Sequence, residues 1–97
     1  MKAVIVTYVV KRGCEAEFVR AVRKHWKVLR SEGLTTDQLP FVLSDPENPS
    51  VYKEIFEWKS RSSFAKAHES ARVQSIWKKL MDLTEEGGIE LAYFKKM

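Results

Sequence analysis

The fold is indicated most clearly by one segment, Val51 to Lys79, which reads VYKEIFEWKSRSSFAKAHESARVQSIWKK. Its first part, Val51 to Trp58, is rich in β-branched and aromatic side chains, which indicates a strand. A serine-rich turn follows, and Ser60 is a candidate N-cap for a short helix that runs to about Ser70. A longer helix is predicted next, because apolar side chains recur there at i, i+3, i+4, i+7 and i+8.

Upstream of this stretch, Lys2 to Val10 is also rich in β-branched residues and predicts the first strand. Alternation along the strand gives each face its own apolar set. One face has Ala3, Ile5 and Val9, interrupted by Thr7, and the other has Val4, Val6, Tyr8 and Val10. A strand that is apolar on both faces needs a covering layer on each.

The remaining segments complete the order of elements. Residues 14–32 predict a helix, because Phe18, Val22, Trp26 and Leu29 recur at near-helical spacing and Gly33 is suited to end it. Leu39 to Leu43 predicts a second strand, weakened by Pro40. SDPENPS, residues 44–50, is typical of a loop. Gly87 and Gly88 are expected to end the last helix, and Ile89 to Phe94 predicts the last strand.

The predicted order is β-α-β-β-α-β within one domain, residues 1–97. This order indicates an α+β, ferredoxin-like fold, in which helices cover one face of a four-stranded antiparallel sheet. Because the first strand is apolar on its other face too, a partner surface is expected there.

Composition excludes several classes of function. The chain has 44% apolar and 31% charged residues and a net charge of +4, as expected of a globular domain. Cys14 is the only cysteine, so neither an internal disulfide nor a cysteine-based metal site is expected. The apolar N-terminal run is too short to span a bilayer, and we expect a soluble, cytoplasmic protein with no membrane partner. The basic residues of the first helix alternate with glutamates, so nucleic-acid binding is not predicted.

His68 has two interpretations. It lies on the predicted apolar face of its helix with Phe64, Ala67 and Ala71. A buried structural histidine bonded to a backbone carbonyl is one interpretation, favoured because no acidic or nucleophilic partner lies at helical spacing on that face. A cleft residue that transfers a proton near neutral pH is the other.

Other candidates carry weaker signals. The three tryptophans, Trp26, Trp58 and Trp77, are most simply core aromatics, although Trp58 ends a strand, where clefts often lie. Glu54 and Glu57 should lie on opposite faces of their strand, which excludes a simple carboxylate pair. The histidines fall in different helices without a second ligand at i+4, so no metal site is predicted.

The stretch resembles the antibiotic biosynthesis monooxygenase family of dimeric α+β barrels. The matching segments are EIFEWKS at 54–60, SSFAKAHES at 62–70 and VQSIW at 73–77. The resemblance implies a homodimer whose sheets pack face to face, with a ligand cleft between sheet and helices in each subunit. It also implies cofactor-free oxygenation of a phenol or hydroquinone, in which the phenolate reacts directly with O₂. The alternative is a non-catalytic dimeric module that binds a small ligand or a partner.

On this resemblance, His68 is the candidate catalytic residue, and Trp58, Thr7, Phe64 and Trp77 are candidate substrate contacts, with no cofactor expected. Some members of the family degrade heme, using an asparagine, a tryptophan and a heme-ligating histidine. Thr7, Ala67 and Trp77 stand at those three places here. The residues that heme degradation needs are therefore missing, and we do not expect that activity.

Overall fold

The computed structural model describes residues 2–97, which form four strands and three helices. In chain order these elements are β1 (Lys2–Val10), α1 (Glu15–Ser31), β2 (Phe41–Ser44), β3 (Val51–Glu57), α2 (Ser63–Glu69), α3 (Ala71–Asp82) and β4 (Thr84–Lys95). The strands form one sheet in the order β2-β3-β1-β4, and each neighbouring pair is antiparallel. The predicted α+β, ferredoxin-like arrangement is confirmed.

The core lies between one face of this sheet and the helices. Val4, Val6, Tyr8 and Val10 of β1 are all buried, as the alternation predicts. The apolar stripe of α1 packs onto them through Phe18, Val22, Trp26 and Leu29, and α3 adds Val73, Ile76 and Leu80. Burying a side chain of the size of Leu or Phe contributes about 1.5–3 kcal/mol, so this layer holds the helices on the sheet.

Gly33 ends α1, as predicted. Its φ of +73° is a left-handed conformation that glycine adopts without steric cost. The Gly33 N–H donates to the carbonyl of Arg30 (2.9 Å), and the Leu34 N–H donates to that of Leu29 (3.0 Å). These two bonds form a Schellman motif, which satisfies the last carbonyls of the helix.

The prediction that Gly87 and Gly88 end the last helix is wrong. The helix ends at Asp82 and β4 begins at Thr84, whose Oγ1 donates to the carbonyl of Leu80 (3.0 Å). The two glycines lie inside β4, where its pairing with β1 shifts register between Tyr8 and Val10. A Cβ at Gly88 would lie 2.8 Å from the Glu85 carbonyl oxygen, so the bulge requires glycine there.

Two further boundaries differ from prediction by two or more residues. β2 begins at Phe41 rather than Leu39, after Pro40, which has no N–H to donate to a sheet. α2 begins at Ser63, with Ser62 rather than Ser60 at its N-cap. The Ser60 backbone N–H instead donates to Ser63 Oγ (3.1 Å), which folds the serine-rich turn back on the helix.

The other face of the sheet has no helix over it among residues 2–97. A cross-strand row of apolar residues crosses all four strands there, formed by Phe41, Ile55, Ile5 and Ala92. Phe41 is 60% exposed, and Leu43 and Phe94 on the same face are also exposed. We call this the open face. Within residues 2–97, no helix is both long and apolar enough to cross a membrane.

Candidate functional site

A mostly apolar cavity of about 200 Å³ lies between the sheet and the helices. It is lined by Val6, Tyr8, His25, Phe56, Trp58, Phe64, His68, Trp77, Leu80, Met81, Ile89 and Leu91. An apolar cavity of about 150 Å³ can hold benzene, so this one has room for a small aromatic molecule. A larger groove of about 810 Å³ between α1 and α3 is lined mainly by charged surface residues and has no aromatic or histidine side chain.

Aromatic rings from three elements form one wall of the cavity. Trp58 follows β3, Phe64 and His68 belong to α2, and Trp77 belongs to α3. Ring centroids are 6.0 Å apart for Trp58 and Phe64, and 4.6 Å apart for Phe64 and His68. The His68 and Trp77 centroids are 4.9 Å apart. The structure therefore brings together four of the five residues that the sequence predicts for the site.

His68 lies at the mouth of the cavity. It faces Phe64 and Trp77, as expected from its helical face, yet the residue is exposed, and its ring bonds to no other residue in the range 2–97. The interpretation of His68 as a buried histidine bonded to a backbone carbonyl is therefore wrong. An exposed imidazole beside an apolar cavity can take a proton from a bound molecule and return it to water.

Thr7, the fifth predicted residue, does not line the cavity. It lies on the open face of β1, where the ammonium of Lys53 donates a hydrogen bond to its hydroxyl (2.9 Å). Its position follows from the alternation of β1, because the neighbours Val6 and Tyr8 face the helices. Substrate contact by Thr7 in this cavity is excluded by that placement.

Below the aromatic wall lies a series of hydrogen-bonded side chains, which we call the buried polar chain: Tyr8, Glu54, His25 and Trp77. The Tyr8 hydroxyl donates to Glu54 Oε1 (2.7 Å). His25 Nδ1 lies 3.0 Å from Oε1 and 2.9 Å from Oε2 of the same carboxylate. The Trp77 indole N–H donates to His25 Nε2 (2.9 Å).

These contacts fix the tautomer of His25. An indole nitrogen is a donor only, so His25 Nε2 is the acceptor and carries no proton. The proton of the neutral imidazole is then on Nδ1 and points at the Glu54 carboxylate. His25 is 3% exposed and Glu54 is fully buried, so both depend on these partners. The result is a carboxylate-oriented imidazole, whose Nε2 borders the cavity but already accepts a hydrogen bond from Trp77.

Sequence reasoning missed the pairing of His25 with Glu54, although the sequence contains a signal for it. Glu54 lies on the same face of β3 as the aromatic residues Tyr52, Phe56 and Trp58. It is therefore a carboxylate on an apolar face. His25 is likewise part of the buried stripe of α1. The partners are distant in the sequence, so only the pairing of the elements brings them together. The placement of Glu57 on the opposite face is as predicted, and there it accepts from the Thr36 hydroxyl (2.9 Å).

The buried polar chain predicts a loss of stability at alkaline pH. Burial raises the pKa of the Tyr8 hydroxyl well above its usual value, and the Glu54 carboxylate beside it raises that pKa further. The folded protein therefore keeps a proton that the unfolded chain loses from about pH 10 upward. The contribution of Tyr8 to the free energy of unfolding is complete below about pH 10. As the pH rises from there to the pKa of Tyr8 in the folded protein, it falls by up to about 1.4 kcal/mol per pH unit.

Denaturant unfolding measured from pH 8 to 11.5 tests this expectation. Tyr8→Phe should lower the free energy of unfolding at pH 8 and flatten its alkaline decline relative to wild type. Tyr93→Phe, at an exposed tyrosine of β4, is the matched control and should keep the decline. If the free energy of unfolding declines equally steeply at alkaline pH in wild type and Tyr8→Phe, Tyr8 is not the group responsible for the decline.

Neither a protein-family model nor a curated protein sequence matches this chain. Solved structures do match it over nearly its whole length. A conserved protein from Methanosarcina mazei is 21% identical, with a TM-score of 0.80, covering 99% of this chain and 92% of that one. A Bordetella bronchiseptica protein named for the antibiotic biosynthesis monooxygenases is 18% identical, with a TM-score of 0.83, covering 99% and 96%.

A third similar structure is SnoaB, a cofactor-independent oxygenase from Streptomyces nogalater. It is 16% identical, with a TM-score of 0.79, and the match covers 99% of this chain and 93% of that one. At these identities the likeness concerns the course of the backbone. The chain therefore has the fold of the antibiotic biosynthesis monooxygenases.

Proposed function

We propose that the protein is a cofactor-independent monooxygenase that acts on a small phenol- or hydroquinone-type molecule bound in the cavity. The observation that carries this proposal is the aromatic wall with His68 at the mouth of a mostly apolar cavity. The fold shared with SnoaB, itself a cofactor-independent oxygenase, supports the same conclusion.

The proposed reaction consumes one O₂ for each phenol and needs no other reactant. Loss of the hydroxyl proton gives a phenolate, which transfers one electron to O₂, and the resulting radicals combine to form a C–O bond. The ring carbon then loses its proton while the O–O bond breaks, leaving a carbonyl on the ring and releasing water. Phenol plus O₂ thus becomes quinone plus water, and the four electrons that O₂ accepts all come from the ring.

Each candidate residue has one role in this scheme. Trp58, Phe64 and Trp77 hold the ring and keep water away from it, which positions it for reaction. His68 accepts the hydroxyl proton, and its exposure lets it release that proton to water.

Oxygen isotope incorporation tests the proposal. Purified protein is incubated under ¹⁸O₂ with a panel of phenols and hydroquinones, and the quinone products are analysed by mass spectrometry. We expect enzyme-dependent O₂ uptake and one ¹⁸O atom in the product, without hydrogen peroxide. Simple autoxidation of a hydroquinone would instead release peroxide and leave the product unlabelled, and only that background across the whole panel would refute the proposal.

A non-catalytic module that binds a small ligand is the second candidate. It is favoured by one observation: among residues 2–97 the His68 ring has aromatic neighbours but no carboxylate partner, so no acidic group supports it as a base. Saturable binding of phenols without any ¹⁸O incorporation would support this function instead.

We further propose that the open face forms a homodimer interface. Phe41, Leu43 and Phe94 are exposed on that face, beside the half-buried Ile5 and Ile55. Obligate interfaces of this kind commonly bury about 2,000 Å² or more in total. Light scattering on a size-exclusion column should therefore give twice the chain mass of 11.3 kDa at micromolar concentration.

Matched substitutions sharpen this test. Ile55→Lys places a charge in the middle of the open face and should shift the protein towards monomer. Met81→Lys places the same charge on an exposed residue of α3, and should leave the dimer intact. A wild-type protein that elutes as a monomer would contradict the proposed interface.

A further inference from the structure

His25 Nε2 is a buried acceptor that a ligand hydroxyl can donate to. Trp58, which also lines the cavity, offers only the donor N–H of its indole, which has no partner among residues 2–97. The Tyr8 hydroxyl hydrogen already points at Glu54, and the Nδ1 proton of His25 points at the same carboxylate. His25 lines the cavity, and among residues 2–97 its Nε2 accepts from Trp77 alone. A hydroxyl that enters the cavity can therefore reach Nε2 only by taking the place of the indole N–H.

Trp77 is placed so that its indole can move away from His25. It belongs to α3, is half-buried, and packs on its outer side against His68 and Phe64 of α2. Both of those residues are exposed, as is Met81 of the same cavity. The Trp77 side chain also packs against the buried core, but its ring neighbours on the side of α2, Phe64 and His68, are both exposed. An outward rotation of the indole therefore displaces only exposed rings on that side.

We propose that Trp77 is a gate, and that the cavity selects ligands carrying a hydroxyl that donates to His25 Nε2 in place of the indole. Glu54 is the positioning residue, since it holds the imidazole with Nε2 unprotonated and facing the ligand. The recognised class is a compact apolar ring with at least one hydroxyl donor. This inference rests on the use of the cavity proposed above, but concerns binding and not oxygenation.

The selectivity follows from hydrogen-bond satisfaction. A phenol that displaces Trp77 restores the bond to Nε2, whereas its methyl ether fits the same space but leaves Nε2 buried without a donor. An unpaired buried acceptor weakens binding, by about tenfold or more in the dissociation constant. With a hydroquinone, one hydroxyl bonds to His25, and the second is free to face His68.

Binding of 2-naphthol and 2-methoxynaphthalene to the intact protein tests the gate. We expect the naphthol to bind at least about tenfold more tightly than the ether. Titration followed by ¹H–¹⁵N NMR reports the gate directly through the indole N–H signal of Trp77. That signal should move upfield when naphthol breaks its bond to His25, while the ¹⁵N signals of the imidazole keep the Nδ1–H tautomer.

Two substitutions separate the gate from general packing. Trp77→Phe removes the competing donor, so it should strengthen naphthol binding by about tenfold. The ratio of the two dissociation constants should stay as in wild type, because neither ligand then has an indole to displace. Trp26→Phe is the matched control: it removes a buried indole that does not line the cavity and whose nitrogen has no partner among residues 2–97. This control should leave the affinity for naphthol unchanged.

The outcomes are distinguishable from those of the proposed oxygenase. Selective naphthol binding with an upfield shift of Trp77 supports the gate even if no substrate consumes O₂. Equal binding of the two probes, binding that leaves the Trp77 signal in place, or no binding of either probe overturns it, whatever the oxygen assay shows. The NMR titration of the wild-type protein tests the gate by itself, so the test remains valid even if Trp77→Phe fails to fold.

Discussion

His68→Ala is expected to reduce ¹⁸O incorporation into a hydroquinone by about 10²–10⁴-fold, the usual contribution of a general base. The stability of the protein should hardly change, because His68 is exposed and its ring bonds to no other residue in the range 2–97. The readout is the rate of enzyme-dependent product formation, with a thermal melt of each variant. Exogenous imidazole should restore part of the rate if the missing group is a proton acceptor.

The matched control for this experiment is Lys66→Ala. Lys66 is another exposed basic residue of α2, but it does not line the cavity. Its removal should leave the rate unchanged. If His68→Ala retains the wild-type rate, His68 is not the proton acceptor. If His68→Ala lowers the melting temperature strongly, the role of His68 is structural despite its exposure.

Glu54→Ala should produce the largest loss of stability, about 3–5 kcal/mol. The fully buried carboxylate accepts from both Tyr8 and His25, so its removal leaves two buried donors unpaired. Glu54→Gln keeps the shape and one acceptor oxygen, and should cost only about 1–2 kcal/mol. Denaturant unfolding near pH 7 measures both changes.

Glu69→Ala removes an exposed carboxylate of α2, which is away from the open face, and is the matched control for this comparison. A surface change of this kind should stay within about 0.5 kcal/mol. If Glu54→Ala is equally mild, the buried polar chain does not hold β1, β3 and α1 together.

Much of the fold is readable from the sequence because its signals are local. The alternation of β1 correctly assigns Val4, Val6, Tyr8 and Val10 to the core, and Gly33 correctly ends α1. The end of the last helix is not readable in this way. A pair of glycines signals a stop to local reasoning, yet Gly88 lies within a strand. A Cβ there would lie 2.8 Å from the nearby Glu85 carbonyl oxygen and 3.1 Å from that of Val9 in β1, and the second contact comes from a segment far away in the sequence.

The candidate site likewise contains residues that local sequence predicts and residues that only tertiary structure brings together. Trp58, Phe64, His68 and Trp77 fall within the one stretch that carries the family resemblance, and they do meet around one cavity. Thr7 was misplaced because its prediction came from comparison with heme-degrading members of the family that the chain resembles. The alternation of β1 alone would have placed it on the open face. His25 and Glu54 are joined only through tertiary structure, so no local spacing predicts their contact.

The topology of the sheet also has a consequence for how the chain folds. β1 is a central strand, and it pairs only with segments synthesised long after it: Val4, for example, lies between Phe56 and Tyr93. During translation the earliest-made strand must therefore wait, with both hydrogen-bonding edges unsatisfied, until β3 and β4 emerge. Non-local pairing of this kind slows folding relative to local contacts. The apolar β1 is thus a segment at risk of aggregation while the chain is still growing.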